Sequence, residues 1–275
     1  MSLGIGAKLA NIREMRSKGY WLVGAFALFS AATARAAPPW VDRSITLPRH
    51  DWAFDFGLGI GHLDAPNPPT GVGLNLEGAV GITRRLEIGL RTGFRFGNDG
   101  RATRADEYGR LFDRQTFGTN HDVVANPEFR IRGALVEGDV AEVGLEGRAV
   151  LPIEDNSRFG MVFGLPLAFH LGHRVRLDTG VYVPVVLYDP TWIAVSVPLD
   201  VWIQATRDLW LGPMTGVRLY HQGNVDRTDW SLGFGLGYSI TRALDLKTMV
   251  LMPGINHPEG ARNIGAGVGI QVRIE

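Results

Sequence analysis

The sequence predicts an all-β fold: an antiparallel, up-and-down transmembrane β-barrel of about 12 strands, behind a cleaved N-terminal signal. Three observations predict it. A turn phrase recurs along the chain at nearly constant spacing. Apolar and polar residues alternate between the turns. Of the two faces that this alternation makes, one is apolar along nearly every segment, and the other carries glycine and charge.

The phrase is Ile82-Thr83-Arg84-Arg85-Leu86-Glu87-Ile88. It returns around Gly172 and as Ala205-Thr206-Arg207-Asp208-Leu209 and Ile240-Thr241-Arg242-Ala243-Leu244, with a looser copy at Gly138-Asp139-Val140. Turn residues fall at 83, 138, 172, 206 and 241, so the last steps are 34, 34 and 35 residues and the first is 55. A fixed period of this size marks a repeated supersecondary unit. Here the unit is a hairpin, and closing a run of hairpins into a barrel removes every exposed edge.

The N-terminus carries Lys8, Arg13, Arg16 and Lys18, then the apolar and small-residue run Tyr20 to Thr33, then Ala34-Arg35-Ala36. This is the pattern of a secretory signal over 1–36, with Met15 as an alternative start. The competing reading, an anchor helix, needs roughly 20 apolar residues. Residues 37–50 are expected to form a periplasmic N-terminal segment, and 51–275 the barrel. There is no cysteine, so neither a disulfide framework nor a thiolate metal site is expected. Lys plus Arg and Asp plus Glu are equal at 28 each, which does not point to nucleic acid as a partner.

Taken in order, the alternation places strands at 51–62, 71–82, 86–96, 122–135, 140–151, 158–171, 174–185, 192–204, 209–221, 229–240, 243–253 and 263–274. The first shows the rule. Trp52, Phe54, Phe56, Leu58 and Ile60 fall on one face, and Asp51, Ala53, Asp55, Gly57, Gly59 and Gly61 on the other. Segments of about 9–11 residues suit a tilted strand crossing a bilayer. Aromatics near the strand ends, among them Trp52, Phe96, Phe169, Trp192 and Trp230, suit interfacial girdles. A secreted periplasmic β protein shares the alternation. Continuity of the apolar face over nearly every strand favours the outer membrane, with lipid, lipopolysaccharide and, during insertion, the barrel-assembly machinery as partners.

Turns after even-numbered strands are short and connections after odd-numbered ones longer, which puts short turns in the periplasm and long loops outside. One loop, 97–121, is outsized and rich in both signs of charge. It reads as a solvated surface loop or as a lid.

The phrase Gly81-Ile82-Thr83-Arg84-Arg85-Leu86-Glu87-Ile88-Gly89-Leu90 resembles the periplasmic turn of small Gram-negative outer-membrane β-barrels assigned to transport. Among these is the group associated with meta-pathway phenol degradation. The last strand is similar to a barrel-insertion signal but ends in Glu275 rather than an aromatic residue. The resemblance implies transport across the outer membrane and does not name a solute.

The inward faces supply the candidate pore lining. Its charged members are Glu77, Glu87, Arg91, Arg95, Glu128, Arg130, Glu146, Arg148, Arg158, Arg176, Asp178, Arg218 and Lys247, and its bulky ones Trp202 and Trp210. Arg132, Glu142, His170, Arg174, Asp200, Asp245, Arg273 and Asp55 complete the charged rows, giving nine acids against eleven Lys or Arg. Strong ion selectivity uses a ring of one sign, so only a weak anion preference is expected. A three-residue turn at 83–85 would set Glu77 opposite Arg91. Glu128 with Arg148 and Arg130 with Glu146 would share one register. Such pairs either satisfy a polar interior or form a charged eyelet. Inward glycines on the first, tenth and last strands predict an open path along the closing seam, or a bulky group packed there from the opposite wall.

The reading is therefore a narrow channel or uptake pore for small solutes. The alternative is a non-conducting structural or surface-binding barrel plugged by ion pairs. Enzymatic readings are weaker. No histidine is followed by the H-x-S pattern of a barrel phospholipase. His121-Asp122 and His221 with Asp226 and Asp229 suit a barrel protease only loosely. The scattered histidines lack metal-ligand spacing, so neither metal nor cofactor is expected.

Overall fold

The computed structural model describes residues 38–62, 70–97, 124–153, 158–187, 191–223, 225–257 and 264–275. The signal region, the loop 97–121 beyond Gly97, and His121-Asp122 lie outside the described residues.

A 3₁₀ turn, Trp40–Asp42, precedes twelve strands. They are β1 (Trp52–His62), β2 (Thr70–Gly81), β3 (Leu86–Gly97), β4 (Val124–Glu137), β5 (Ala141–Val150) and β6 (Gly160–Leu171). They continue as β7 (Val175–Val186), β8 (Trp192–Gln204), β9 (Leu209–Gln222), β10 (Val225–Thr241), β11 (Leu244–Met252) and β12 (Ile264–Ile274). Each pairs antiparallel with its sequence neighbours, and β12 pairs with β1 from Trp52↔Ile274 to His62↔Ile264, which closes the barrel. All bounds fall within two residues of those predicted except the start of β10, which lies four residues earlier.

That exception corrects one loop. The β9–β10 connection is short: Gln222 pairs with Val225, and Gly223 between them has φ +58°. Gly-Asn between two strand runs is a two-residue hairpin signal, because glycine enters left-handed backbone without a Cβ clash.

The recurrent threonine has a local cause. Ile82 N–H donates to the Leu86 carbonyl at 2.8 Å, and Ala205 N–H to that of Leu209 at 2.9 Å. Within these turns Thr83 Oγ1 accepts from Arg85 N–H at 3.1 Å, and Thr206 Oγ1 from Leu209 N–H at 3.1 Å. Thr241 Oγ1 accepts from Ala243 N–H at 3.2 Å. The hydroxyl replaces a backbone acceptor inside the turn. Where the phrase lacks threonine, Gly172 takes φ +67° instead.

The outer surface is the apolar row. Phe56, Leu58 and Ile60 of β1, Leu90 of β3, Phe163 of β6, Leu219 of β9 and Phe234 of β10 are all exposed large hydrophobics. In water each would forgo roughly 1.5–3 kcal/mol of burial, so a belt of them on every side needs lipid. The buried charged side chains lie on the other face: Glu87, Arg91, Glu128, Arg130, Arg132, Glu146, Arg148, Arg176, Asp178 and Asp200. No described helix is long and apolar enough to cross a membrane; the strands do so.

Candidate functional site

The interior of the barrel holds a charged ladder, a glycine-backed seam, and a stretch of the chain's own N-terminus.

The ladder occupies the wall formed by β2 to β5. Glu77 pairs across the β2–β3 register with Arg91, as predicted, and Arg91 Nε donates to Glu77 Oε2 at 2.6 Å. Arg130 reaches Glu77 Oε1 at 3.1 Å and Glu87 Oε1 at 2.7 Å. Arg148 bridges Glu128 at 3.0 Å and Glu146 at 2.5 Å, and Arg132 Nε donates to the other oxygen of Glu146 at 2.7 Å. Four carboxylates thus alternate with four guanidiniums over these strands. Their side chains are nearly all buried. Buried charges persist only when paired and hydrogen-bonded.

The β4–β5 register differs from the predicted one. Arg130 stands opposite Arg148 and Arg132 opposite Glu146, with a bulge between Ala134 and Val136. The turn is centred between Asp139 and Val140 rather than on Gly138, which shifts the pairing sum by three, and the bulge takes one back. Glu128 still meets Arg148 on the diagonal, but Arg130 turns to β2 and β3 for its carboxylates.

Tryptophans fill the β8–β10 wall. Trp202 and Trp210 lie over glycines: a Cβ at Gly235 would stand 2.6 Å from Trp202 Cη2, and one at Gly237 would overlap the Trp210 indole. These rings come from the neighbouring strands β8 and β9 and cover β10, not the β12–β1 seam for which a bulky group was the alternative. The β12–β1 seam is different. A Cβ at Gly267 would find its nearest neighbour at 3.6 Å, and one at Gly57 at 3.7 Å, both ordinary contacts. At the short-turn end of this seam Lys247 Nζ lies 3.3 Å from Asp55 Oδ1, and Gln271 Nε2 donates to Asp55 Oδ2 at 2.6 Å.

Residues 40–47, expected to form part of a periplasmic segment, run across the inside of the short-turn end. Trp40 stacks on Trp210 with centroids 5.1 Å apart and planes 3° from parallel, and meets Trp202 edge-on at 6.2 Å. Val41 is completely buried in the same cluster with Met214 and Leu251. Ile45 sits between Ala134 and Ala168, and Leu47 between Ala53 and Ala79. Small inward residues are its seats: a Cβ at Gly144 would come within 2.9 Å of Ile45 Cδ1, and one at Gly81 would collide with the Pro48 carbonyl.

Polar contacts follow the backbone of this segment. Val41 N–H donates to Gln204 Oε1 at 3.4 Å, Ile45 N–H to Glu142 Oε2 at 2.8 Å and Leu47 N–H to Glu87 Oε2 at 2.9 Å. The carbonyls of Val41, Arg43 and Ile45 receive His170, Arg176 and Arg132. The Arg43 guanidinium pairs with Asp245 and lies 5.3 Å from the Trp40 ring centroid. An irregular strand has no ladder partner for its N–H and C=O groups, so the wall's charged side chains take that role.

The other candidate residues divide. Asp178 and Asp200 face each other across β7–β8, with Arg176 Nε 2.7 Å from Asp178 Oδ1. Arg218 donates to Ser196 Oγ at 3.4 Å and lies over the Tyr220 ring. Arg158 is exposed and precedes β6, and Arg174 is exposed in the β6–β7 turn. Arg95 belongs to β3, but its side chain is outside the described set. On the loop rim His221 Nδ1 is 2.6 Å from Asp226, and His257 Nε2 is 2.7 Å from Asp229. The His221–Asp226 pair is largely exposed and so solvated. Among the described residues no three His, Asp or Glu converge as a metal site.

The barrel has counterparts among solved structures. The COG4313 outer membrane channel from Pseudomonas putida F1 superposes with a TM-score of 0.58 at 10% identity, over 87% of this chain and 100% of that one. This is the fold of an outer-membrane β-barrel. The NanC porin gives a TM-score of 0.57 at 8% identity, over 80% of this chain and all of its own, and the KdgM porin 0.53 at 10%, over 81% and 99%. No family model matches the sequence, and no curated protein does. The likeness lies in the barrel itself, and the lipid-facing belt accords with a place in the outer membrane.

Proposed function

We propose that this outer-membrane barrel is a narrow channel through which small polar or zwitterionic solutes diffuse. The observation that carries the reading is the inner wall. Beside the ladder, Gly57 and Gly267 on the β12–β1 seam leave room that any side chain would take. Twelve strands lie between the filled eight-stranded barrel and the open porin, so one bare strip decides whether a path exists. Its structural neighbours bear the names of porins and of an outer membrane channel, which supports a pore role in general.

The short-turn end faces the periplasm in this reading, and the exported chain begins after a signal over 1–36. Lipid and lipopolysaccharide surround the belt, and the barrel-assembly machinery inserts it. Anion preference is weak. The ladder is neutral, and the basic excess in the sequence rests on Arg95 and on the exposed Arg158 and Arg174. A second reading, a non-conducting barrel, is favoured by the inserted residues 40–47, which obstruct the short-turn mouth.

Single-channel conductance of the refolded chain 37–275 separates the two. Discrete steps with a reversal potential shifted slightly toward anions support the channel. Gly267→Trp, which fills the strip, is expected to lower the conductance at least severalfold. Silence of the folded barrel at every pH and voltage, or steps unchanged by Gly267→Trp, would sink the seam path.

A further inference from the structure

We infer that residues 40–47 are a proton-latched stopper, seated while His170 and Glu142 together hold one extra proton and loosened when it leaves. The consequence for permeation rests on the channel reading. The latch itself does not.

His170 lies between two acceptors. Its Nδ1 is 2.6 Å from the Val41 carbonyl, and its Nε2 is 3.1 Å from Glu142 Oε1. A neutral imidazole has one N–H and one lone pair. It can serve the carbonyl or an ionised carboxylate, but not both. Serving both takes a second proton, on the ring or on the carboxyl that would then donate back to Nε2. The proton therefore belongs to the pair.

The same carboxylate anchors the stopper directly. Glu142 Oε2 accepts from Ser44 Oγ at 2.9 Å and from Ile45 N–H at 2.8 Å. One residue pair thus holds Val41, Ser44 and Ile45, and both members are buried. When the proton leaves, one acceptor faces a lone pair inside the wall. That repulsion is relieved when the segment moves off and water enters.

Charges of both signs surround the pair. Arg176 of β7 stands directly across from His170 and opposes a second positive charge, while Asp178 beside Arg176 and Glu142 of β5 favour it. From the stopper, Arg43 is committed to Asp245 of β11, and Asp42 lies 3.8 Å from His173 in the β6–β7 turn. Histidine is the side chain whose charge ordinarily changes between about pH 5 and 8. The direction follows: the stopper is held at acid pH and loosened as pH rises.

The chain has no cysteine, so a single thiol can report the motion. Val41→Cys puts it at a completely buried position of the stopper, and Asp139→Cys in the exposed β4–β5 turn gives the baseline rise of thiol reactivity with pH. Labelling by a charged maleimide is followed on the refolded chain 37–275 in detergent micelles at pH 5.5 and 8.5. The rate for Val41→Cys relative to the baseline should rise about tenfold, the loss of one charge-assisted hydrogen bond. His170→Gln keeps a donor and does not titrate, so it should flatten the ratio. A flat ratio with His170 present overturns the latch, as does a rise that survives His170→Gln. Leu47→Cys, at the far end of the stopper, repeats the test if Val41→Cys does not fold. Conductance of the cysteine-free chain at the same two pH values separates the readings. pH-dependent labelling in a silent barrel supports the latch and removes the channel.

Discussion

Arg43 and Asp245 meet across the barrel mouth in a two-pronged pair, Nη1 to Oδ2 at 2.5 Å and Nη2 to Oδ1 at 3.2 Å, from positions 202 residues apart. Both side chains are almost wholly buried. Paired geometry of this kind is what lets an arginine and a carboxylate leave water together. It ties the N-terminal stretch to β11, while Glu87, Arg132, Glu142, His170, Arg176 and Gln204 tie it to six other strands.

Arg43→Ala leaves the buried Asp245 with its Ser239 contact at 2.7 Å but without its countercharge. Breaking a buried pair by removing one partner costs about 3 kcal/mol. The expected outcome is a lower denaturant midpoint for barrel unfolding, together with faster labelling of a cysteine at position 41. Replacing both partners, Arg43→Leu with Asp245→Leu, should recover more than half of the midpoint. An unchanged midpoint in Arg43→Ala would show that the pair contributes nothing to holding the segment.

The ladder predicts a contrast between two arginines. Arg148 bridges Glu128 and Glu146 inside the wall, whereas Arg85 meets Glu137 at 3.1 Å on the surface with most of its side chain in water. Arg148→Ala should therefore destabilise the barrel by about 3 kcal/mol, and Arg85→Ala by under about 1 kcal/mol. Equal effects, read from the same unfolding curves, would mean that water enters the ladder freely and that burial does not set its energetics.

Strand number and boundaries were legible because each strand sees lipid on one side and polar groups on the other, and the period-2 pattern records both. The Glu77–Arg91 pair was legible too, since a three-residue turn fixes its register. The β4–β5 register was not: a displaced turn and a bulge at Ala134/Val136 moved it, and the turn phrase alone does not give its own centre. The task of residues 40–47 was hidden for a different reason. Their partners come from β1 to β9 and β11, so no local spacing connects them. One signal was available: Gly81, Ala53, Ala79, Ala134, Gly144 and Ala168 are small inward residues at the short-turn end, where a charged row would otherwise continue. Small residues there mark space kept for something else.

Inward glycines fall into two kinds, and substitution should separate them. Gly237 lies under the Trp210 indole, so Gly237→Ala forces the ring to shift; overpacking of this kind costs about 1–3 kcal/mol. Gly267→Ala meets only ordinary contacts and should leave the unfolding midpoint within about 0.5 kcal/mol of the parent. The double change Gly237→Ala with Trp210→Ala should cost less than the sum of the two single changes, because the clash is gone. Additive costs would show that Trp210 does not rest on this glycine.

The outer belt makes the sharpest claim about environment. Leu58 is exposed at mid-strand in β1 and is flanked by Leu74 of β2 and Val268 of β12, so its row is apolar across three strands. If that row lies at the middle of a bilayer, Leu58→Arg costs roughly 2–4 kcal/mol, since a charge on the lipid face finds neither water nor a partner. Gly267→Arg, inward on the adjacent strand, should cost far less, because its guanidinium reaches the polar interior. The comparison is made by equilibrium folding into phospholipid vesicles, with heat-shifted gel mobility as the readout. A Leu58→Arg barrel that folds as readily as the parent would place this row outside the hydrocarbon and undo the assignment of the apolar face to lipid.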